Sequence, residues 1–328
     1  MRVTRRAAMA SALGALACPG LARAQATDAW PSRPIRLVVA FPPGGSTDIV
    51  GRLTAQYLQN ALGVAVVVDN RGGASGGLGT AGAARSPADG YTLTVSGVGT
   101  HGVVPAVNPA QTEYDPVKDF THVGMIGVFY STLVVHPSFA AASLTDYLEA
   151  ARRQPGKLNY ATSGSGSSNH IVAELLVKNA GVDIVHIPYR GAGPALQALI
   201  ANEVPSMFDS LPAVAPHIRN GTIRALAISS PERLGTFPDI PTFKELGYQE
   251  MVTENWFGIS GPAGMPQPVV DRIARAMAEF LVDPAIKARY SEAGLDTKVM
   301  PPAPFKDYIA DAFDFWKSAV QRTGVTSH

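Results

Sequence analysis

Cysteine and charge are scarce in this 328-residue chain. Its single cysteine, Cys18, cannot form a disulfide within the chain and cannot supply the several thiolates of a structural zinc site. Charged residues make up 16% of the sequence, and 27 basic against 26 acidic side chains give a formal net charge of +1. Proteins that bind nucleic acid carry a basic excess, which this sequence lacks. The composition therefore excludes a disulfide scaffold and a thiolate metal cluster, and we expect no nucleic-acid partner.

The N-terminus has the three regions of a secretory signal peptide. Arginines at positions 2, 5 and 6 precede an uncharged stretch over 7–22, and Ala22-Arg23-Ala24 places small residues at the two positions that a signal peptidase reads. The uncharged stretch is too short and too rich in alanine for a membrane span. We therefore predict that residues 1–24 are a cleaved signal peptide and that the mature protein lies in the periplasm.

Two details of this leader leave the export route open. Arg5-Arg6 is a twin-arginine pair, although alanines replace the large apolar residue that usually follows it. Cys18 follows Leu16-Ala17 and loosely matches a lipoprotein cleavage box, so lipid attachment is the weaker alternative. Cleavage after Ala24 removes four arginines and the cysteine, which leaves 23 basic and 26 acidic residues and a net charge of −3. Any attraction for an anion must then come from groups at the binding site and not from the net charge of the protein.

The remaining sequence alternates short apolar runs with segments of helical spacing. Runs over 35–41, 64–69 and 92–96 each end in a glycine-rich loop, and helical patterns follow the first two. The same alternation restarts near residue 133, and two helices close the chain. Apolar strands separated by helices are typical of parallel sheets that are covered on both faces. We predict an α/β fold with two lobes, each a mostly parallel sheet flanked by helices.

Four loops at predicted strand ends are rich in glycine, serine and threonine. They cover residues 42–48, 70–79, 96–100 and 163–170. In open α/β sheets, ligands bind where the carboxyl ends of strands meet helix N-termini, because exposed backbone N–H groups there favour anions. Any one of these loops could be only a tight connection. Four together, with their hydroxyl groups and bare amides, favour a site for a carboxylate or a similar small polar ligand.

Five ordered segments closely resemble the Bug-type solute-binding proteins of tripartite tricarboxylate transporters. They read FPPGGSTD at 41–48, VDNRGGA at 68–74, ADGYTL at 88–93, YATSGSGSSNH at 160–170 and VHIPYRG at 185–191. The resemblance runs from about residue 30 to the C-terminus. It implies an extracytoplasmic receptor that captures a small carboxylate-bearing ligand between two lobes and delivers it to the membrane subunits of such a transporter. It implies no enzymatic activity and no cofactor, and we expect a monomer.

The resemblance also implies a type II-like periplasmic-binding-protein fold in which the chain crosses twice between the lobes. We expect the crossings near residues 126–131 and 230–256. The first lobe would then comprise residues 25–128 and 253–328, and the second lobe residues 129–252.

Carried over to this sequence, the resemblance implies ligand-binding residues on both lobes. They are Phe41, Pro43, Gly44, Gly45, Ser46, Thr47, Asp48, Ser96, Gly97, Ser163, Gly164, Ser165, Gly166, Ser167, Ser168, His170, Tyr189, Arg190 and Asp209. The 42–48 loop would hold one end of the ligand through backbone groups and ordered water, and the 163–168 loop would face it. Ser46 and Thr47 stand where a helix N-terminus can meet an anion, whereas Asp48 is better suited to capping backbone amides.

Other polar candidates have two interpretations each. Arg71 and Arg190 are charge partners for an anion or members of surface ion pairs. Asp209 would repel a carboxylate unless it meets an amine or a water. His170 fits a packed, hydrogen-bonded histidine better than a direct ligand contact.

Ligand specificity is expected in the 98–102 loop and at Phe129 and Tyr130, where members of the resembled family differ. Phe129, Tyr130 and Tyr189 could form a wall for an apolar or aromatic ligand, or they could pack between the lobes.

A secreted serine hydrolase is the alternative function. Residues 73–77 read GASGG, the five-residue nucleophile-elbow pattern, with Asp183 or Asp209 and His186 or His217 as conceivable partners of Ser75. Chance matches to this pattern are expected in a chain with 32 glycines. The histidines show no i, i+4 pair, so we expect no metal.

Overall fold

The computed structural model describes residues 30–325. The predicted signal peptide, its cleavage site, the twin-arginine pair and Cys18 lie outside the described residues. No helix within residues 30–325 combines the length and the apolar character that a membrane crossing requires.

Strands and helices alternate along most of the described chain, as the sequence pattern predicts. The strands are β1 (Ile35–Val39), β2 (Val66–Asn70), β3 (Thr92–Gly97), β4 (Phe120–Phe129), β5 (Ser131–Val135), β6 (Asn159–Thr162), β7 (Val185–Pro188), β8 (Ser206–Ser210), β9 (Arg224–Ile228), β10 (Asn255–Pro262) and β11 (Asp296–Met300). The helices are α1 (Ser46–Leu62), α2 (Gly77–Ala84), α3 (Val104–Val107), α4 (Leu144–Arg153), α5 (Ser168–Ala180), α6 (Ala192–Ile200), α7 (Leu211–Arg219), α8 (Gln267–Val282), α9 (Pro284–Glu292) and α10 (Pro302–Thr323). A π-helical segment (Val98–Val103) leads directly into α3.

The strands form two sheets. The first has the order β11-β4-β10-β3-β1-β2, and the second has the order β7-β6-β8-β5-β9. Strands β1, β2 and β3 are parallel, as are β6, β7 and β8. The chain enters the second sheet by β5 and returns to the first sheet by β10. Each of these two strands runs antiparallel to both of its neighbours. The sheets are therefore mixed, although most strands of each point one way.

The sequence pattern does not predict β4 and β10, the two longest strands. Glycines and polar residues interrupt their apolar runs, but both strands are buried along nearly their whole length. Some of the polar side chains pair with each other inside the sheet: His122 Nδ1 and Ser260 Oγ share a 2.9 Å hydrogen bond. Helices α8 and α10 pack on β4, and Trp256 of β10 meets Phe305 of α10 edge to face at 5.4 Å. Burial on both faces removes the alternation by which a strand is recognised.

The chain passes between the sheets at two places that lie side by side. β4 ends at Phe129 and β5 begins at Ser131, whereas the return passage lies between β9 and β10. Ser131 N–H donates to Ser229 Oγ at 2.9 Å, and Ser229 N–H donates to the Ser131 carbonyl oxygen at 2.9 Å. Thr253 N–H donates to the Ser229 carbonyl oxygen at 3.2 Å. The two passages are thus hydrogen-bonded to each other.

A chain of buried side-chain hydrogen bonds runs from these passages to the second sheet. Asn255 Nδ2 donates to Ser131 Oγ at 3.2 Å, and Ser131 Oγ donates to Asn169 Oδ1 at 2.8 Å. Asn169 lies in the first turn of α5, and its Nδ2 donates to Asp209 Oδ1 at 3.0 Å. All four side chains are buried. The crossing strands therefore fix the position of the α5 N-terminus.

We expect Ser131→Ala to lower the free energy of unfolding by about 1–3 kcal/mol, because the Asn169 oxygen and the Asn255 amide lose a buried partner. Urea denaturation measures this change. Ser318→Ala, an exposed serine in the last helix, is the control and should stay within about 0.5 kcal/mol of the wild type. Unchanged stability of Ser131→Ala would show that the crossing does not depend on this hydrogen-bond chain.

Candidate functional site

A cavity of about 510 Å³ lies between the loops of the two sheets. The first sheet contributes the loops after β1, β2 and β3, and the second contributes the loops after β6, β7 and β8. Each of these loops follows the carboxyl end of one of the parallel strands, where open α/β sheets bind ligands. The volume is typical of a site for one small molecule.

Several helices begin at this cavity. Residues that precede a helix lie on its wall, and these are Gly45 before α1, Gly97 before the π-helical segment, Ser167 before α5, Gly191 before α6 and Ser210 before α7. The first N–H groups of a helix have no acceptor within that helix, and the helix dipole adds partial positive charge at the same end. Helix starts from both sheets therefore direct unpaired donors and positive potential into one space.

The start of α1 has the clearest free donors. Gly45 has no side chain with which to cap the helix, so the amides of Ser46 and Thr47 stay available. Ser46 Oγ is buried and has no hydrogen-bond partner among the described residues. Two amides and one hydroxyl suit a carboxylate, which accepts several hydrogen bonds at once.

Asp48 lies behind this loop rather than on the cavity wall. Its carboxylate accepts hydrogen bonds from Gly44 N–H at 3.0 Å, Arg52 Nε at 3.0 Å and Asn70 Nδ2 at 2.9 Å. Asn70 also donates to the carbonyl oxygen of Phe41 at 3.0 Å. Burial alone would raise the pKa of Asp48, but these hydrogen bonds outweigh burial and the pKa is lowered. Asp48 stays ionised and holds the loop in shape.

His170 has a similar supporting position in the opposing loop. Its Nδ1 accepts the Gly166 N–H at 3.0 Å, which puts the ring proton of the neutral imidazole on Nε2. The ring stacks on His186 at 3.8 Å between centroids, and burial lowers the pKa of His170 to about 4. Ser167 Oγ accepts the His170 N–H at 3.2 Å and caps α5. The neutral histidine fixes the loop from behind.

Asp209 is the one acidic side chain on the described cavity wall, and it is only 2% exposed. Its Oδ1 accepts hydrogen bonds from Asn169 Nδ2 at 3.0 Å and from Ser210 N–H at 2.7 Å. Its Oδ2 is buried and has no donor among the described residues. Burial raises the pKa of Asp209 to about 7, and the two hydrogen bonds only partly oppose that effect.

Aromatic rings form the apolar part of the wall. Phe129, at the end of β4, stacks on Phe257 of β10 with 4.4 Å between ring centroids and an interplanar angle of 18°. Gly97 makes room for this pair, because a Cβ there would lie 2.8 Å from Phe257 Cδ1. Phe41 and Val95 add to the apolar surface. The site thus combines polar helix starts with an aromatic wall.

Most residues predicted from the sequence lie on this wall. They are Phe41, Gly45, Ser46, Thr47, Gly97, Ser163, Gly164, Gly166, Ser167, Ser168, Tyr189, Arg190 and Asp209. Phe129 is also there, but Tyr130 is not.

The other predicted residues do not line the cavity. Pro43 and Gly44 lie on the exposed side of their loop, and Asp48 and His170 act from behind, as described above. Ser96 is turned into the sheet, where its Oγ accepts a 2.9 Å hydrogen bond from Ser260. Ser165 lines a second, neighbouring cavity of about 470 Å³.

Several wall residues are missing from the predicted list, and three sets of them show what the sequence signals and what it does not. Residues 72–76 and Asn169 lie inside the glycine-rich loops 70–79 and 163–170, so the composition of those loops could have identified them as wall residues. Gly191, Ala192 and Gly193 follow the predicted Arg190. Phe257 has no local signal, because it comes from β10, which the sequence pattern does not predict.

The basic candidates differ in position. Arg190 is exposed and lies on the wall of both cavities. Arg71 is instead paired with Asp69 at 2.7 Å on the surface. Arg190 is thus the one basic side chain among the residues that line the described cavity.

A serine-hydrolase site is not assembled around Ser75. Ser75 lies on the cavity wall, but no histidine belongs to the described wall. The candidate His186 bonds Thr162 Oγ1 at 2.8 Å instead. The described residues also contain no group of three or more His, Cys, Asp or Glu that could hold a metal ion.

Comparison with known proteins gives one consistent result. Residues 50–325 match the family described as the tripartite tricarboxylate transporter family receptor. The chain is 37% identical to protein BugT of Bordetella pertussis over 309 residues, which cover 94% of this chain and 95% of BugT.

Two solved structures with bound small acids are similar to this chain over nearly their whole length. Rpa4515 of R. palustris, solved with adipate, is 32% identical with a TM-score of 0.88, over 91% of this chain and 100% of the other. MatC from Rhodopseudomonas palustris, solved with bound malate, is 31% identical with a TM-score of 0.82, over 89% and 100% of the two chains.

These similarities confirm the predicted two-lobed α/β fold, and they give the serine-hydrolase alternative no support. The chain therefore belongs to the family of tripartite tricarboxylate transporter receptors, and it is a solute-binding receptor rather than an enzyme.

Proposed function

We propose that this chain captures a small carboxylate in the cavity between its two sheets and delivers it to the membrane subunits of a tripartite tricarboxylate-type transporter. The observation that carries this proposal is the convergence of helix N-termini from both sheets on one cavity, together with the unpartnered Ser46 hydroxyl. Relatives that were solved with adipate and malate support a carboxylate ligand.

The predicted site residues are part of this proposal. The amides of Ser46 and Thr47 would hold the carboxylate, and the start of α5 would reach it from the other side, through ordered water where the distance is too long for direct contact. Asp48 and His170 would hold the two loops in place. The mature chain has a net charge of −3 if residues 1–24 are removed, so attraction must come from these local donors and from Arg190.

Lobe boundaries and location complete the proposal. The first lobe would comprise residues 25–128 and 253–328, and the second residues 129–252; the membership of the two sheets supports this division. The signal-peptide pattern over 1–24 supports export across the inner membrane to the periplasm, where the receptor would act as a monomer.

Closure of the two lobes around the ligand is supported by contacts at the cavity mouth. A Cβ at Gly45 would lie 3.6 Å from the Ala192 Cβ, and a Cβ at Gly191 would lie 3.5 Å from Pro42 Cγ. Gly45 and Gly191 therefore let the 42–48 loop and the start of α6 approach each other closely. A ligand that contacts both sides would shift the population toward this closed arrangement.

We expect a thermal-shift screen against mono-, di- and tricarboxylates to find a ligand that raises the melting temperature, because a ligand bound only by the folded state stabilises it. Gly45→Leu should abolish this shift, since a bulky side chain would separate the lobes. Gly45→Ala should retain most of it, because its Cβ would be in ordinary contact with Ala192 and the Gly45 φ of −87° suits any residue.

Both variants should melt within a few degrees of the wild type without ligand. No shift from any carboxylate would contradict the proposed function. A normal shift in Gly45→Leu would show that the lobes do not close at this point.

Asp209 gives the ligand-free protein a testable pH dependence. Burial raises its pKa from 3.8 to about 7, so the folded state binds this proton more tightly than the unfolded state. Its contribution to stability is fully present below about pH 4 and is lost as the pH rises to about 7. Histidines whose pKa values burial lowers to about 4 act in the opposite sense, so the pH dependence of wild-type stability alone is ambiguous.

The informative quantity is the unfolding free energy of the wild type minus that of Asp209→Asn, in buffers without carboxylates. We expect this difference to decrease between pH 4 and 7 and to level off above pH 7. A flat difference over this range would mean that Asp209 is not desolvated as described.

A further inference from the structure

The charges on the cavity wall limit how many carboxylates one ligand can place there. Arg190 and Asp209 are the charged side chains among the residues that line the described cavity. Arg190 is exposed, whereas Asp209 is buried at the end of β8. One carboxylate finds donors at the start of α1. A second carboxylate that extends toward Asp209 would meet a buried acid, which repels it when both are ionised.

The unsatisfied atom of Asp209 points to the opposite chemistry. Asn169 and Ser210 already donate to its Oδ1, so the geometry of that oxygen is fixed. At a pH above about 7, where Asp209 is ionised, its Oδ2 is a buried acceptor without a donor among the described residues. A buried acceptor gains most from a partner that arrives with the ligand, because leaving it unpaired is costly. A hydroxyl or amino group on the ligand would supply that donor.

The aromatic part of the cavity wall favours a flat apolar ligand. Phe129 and Phe257 are 2% and 5% exposed and stack nearly parallel, so their orientation is fixed by packing. Gly76 lets the Phe41 ring approach its backbone, since a Cβ there would lie 2.9 Å from Phe41 Cζ. Rings held in this way offer faces and edges to another ring. They offer no hydrogen bonds to a chain of polar groups.

We propose that the ligand is a monocarboxylate with an aromatic ring and a hydrogen-bond donor on the ring that binds Asp209 Oδ2, rather than a di- or tricarboxylate. This inference rests on the proposed carboxylate-receptor function and specifies its ligand class. The carboxylate lies at the start of α1, the ring packs among Phe41, Phe129 and Phe257, and the donor faces Asp209.

Isothermal titration calorimetry at about pH 8.5, where Asp209 is ionised and its Oδ2 can only accept, tests this inference with a matched series of acids. The series comprises benzoate, 3- and 4-hydroxybenzoate, 3- and 4-aminobenzoate, terephthalate, adipate and malate. We expect at least one hydroxy- or aminobenzoate to bind about 10-fold more tightly than benzoate, which is the effect of one hydrogen bond to a charged acceptor. Terephthalate, adipate and malate should bind more weakly than benzoate.

Each of the other outcomes contradicts one part of the proposal. Tighter binding of adipate, malate or terephthalate overturns the ligand class but leaves the receptor function standing. Equal binding of benzoate and all of its hydroxy and amino derivatives overturns the role of Asp209. No binding by any acid of the series, together with no shift in the wider carboxylate screen, overturns the receptor function itself.

Asp209→Asn distinguishes a direct contact from a general effect of the ring substituent. Asparagine has nearly the same shape, but it replaces the free acceptor with an amide donor. We expect the preference for the hydroxy- and aminobenzoates over benzoate to disappear and the affinity for terephthalate to rise. Asp239→Asn, an exposed aspartate outside the cavity, is the matched control and should keep the wild-type order. Thermal melting verifies that both variants fold, and an unchanged preference in Asp209→Asn overturns the proposal.

Discussion

Backbone N–H groups at the start of a helix have no acceptor within the helix, and this constraint organises the site. Here, helix starts at the carboxyl ends of strands in both sheets surround one cavity, and glycine or serine precedes each of them. The donors can be satisfied by water when the cavity is empty and by an anion when it is filled. The antiparallel strands β5 and β10, and the hydrogen-bonded passages beside them, set the distance between the two sets of donors.

Ionisable residues around the cavity differ in role because their partners differ. Asp48 has three donors, including an arginine, so it stays charged and holds a loop. Asp209 has donors on one oxygen only, and burial outweighs these hydrogen bonds and raises its pKa. His170 is kept neutral by burial, and its ring accepts an amide hydrogen behind the loop. The sequence already favours supporting roles for Asp48 and His170, and their hydrogen-bond partners agree with that interpretation.

The sequence was sufficient for the elements whose signal is local. The first strand, its glycine loop and α1 follow from an apolar run, a Gly-Gly pair and helical spacing, and the 163–168 loop follows from its serines and glycines. The two longest strands escaped prediction because burial on both faces removes alternation, and Phe257 was missed with them. Pairings between distant residues, such as Asn169 with Asp209 or Ser96 with Ser260, depend on sheet order, which no local pattern contains.

A crystal structure of the protein with a bound carboxylate from the thermal-shift screen tests the role of the helix starts most directly. If helix starts hold the ligand, its carboxylate oxygens lie about 3 Å from the amide nitrogens of Ser46 and Thr47, and the start of α5 is reached directly or through one water. A carboxylate bound on the surface, or one in the cavity that is held by side chains with the helix starts left to solvent, would contradict this role.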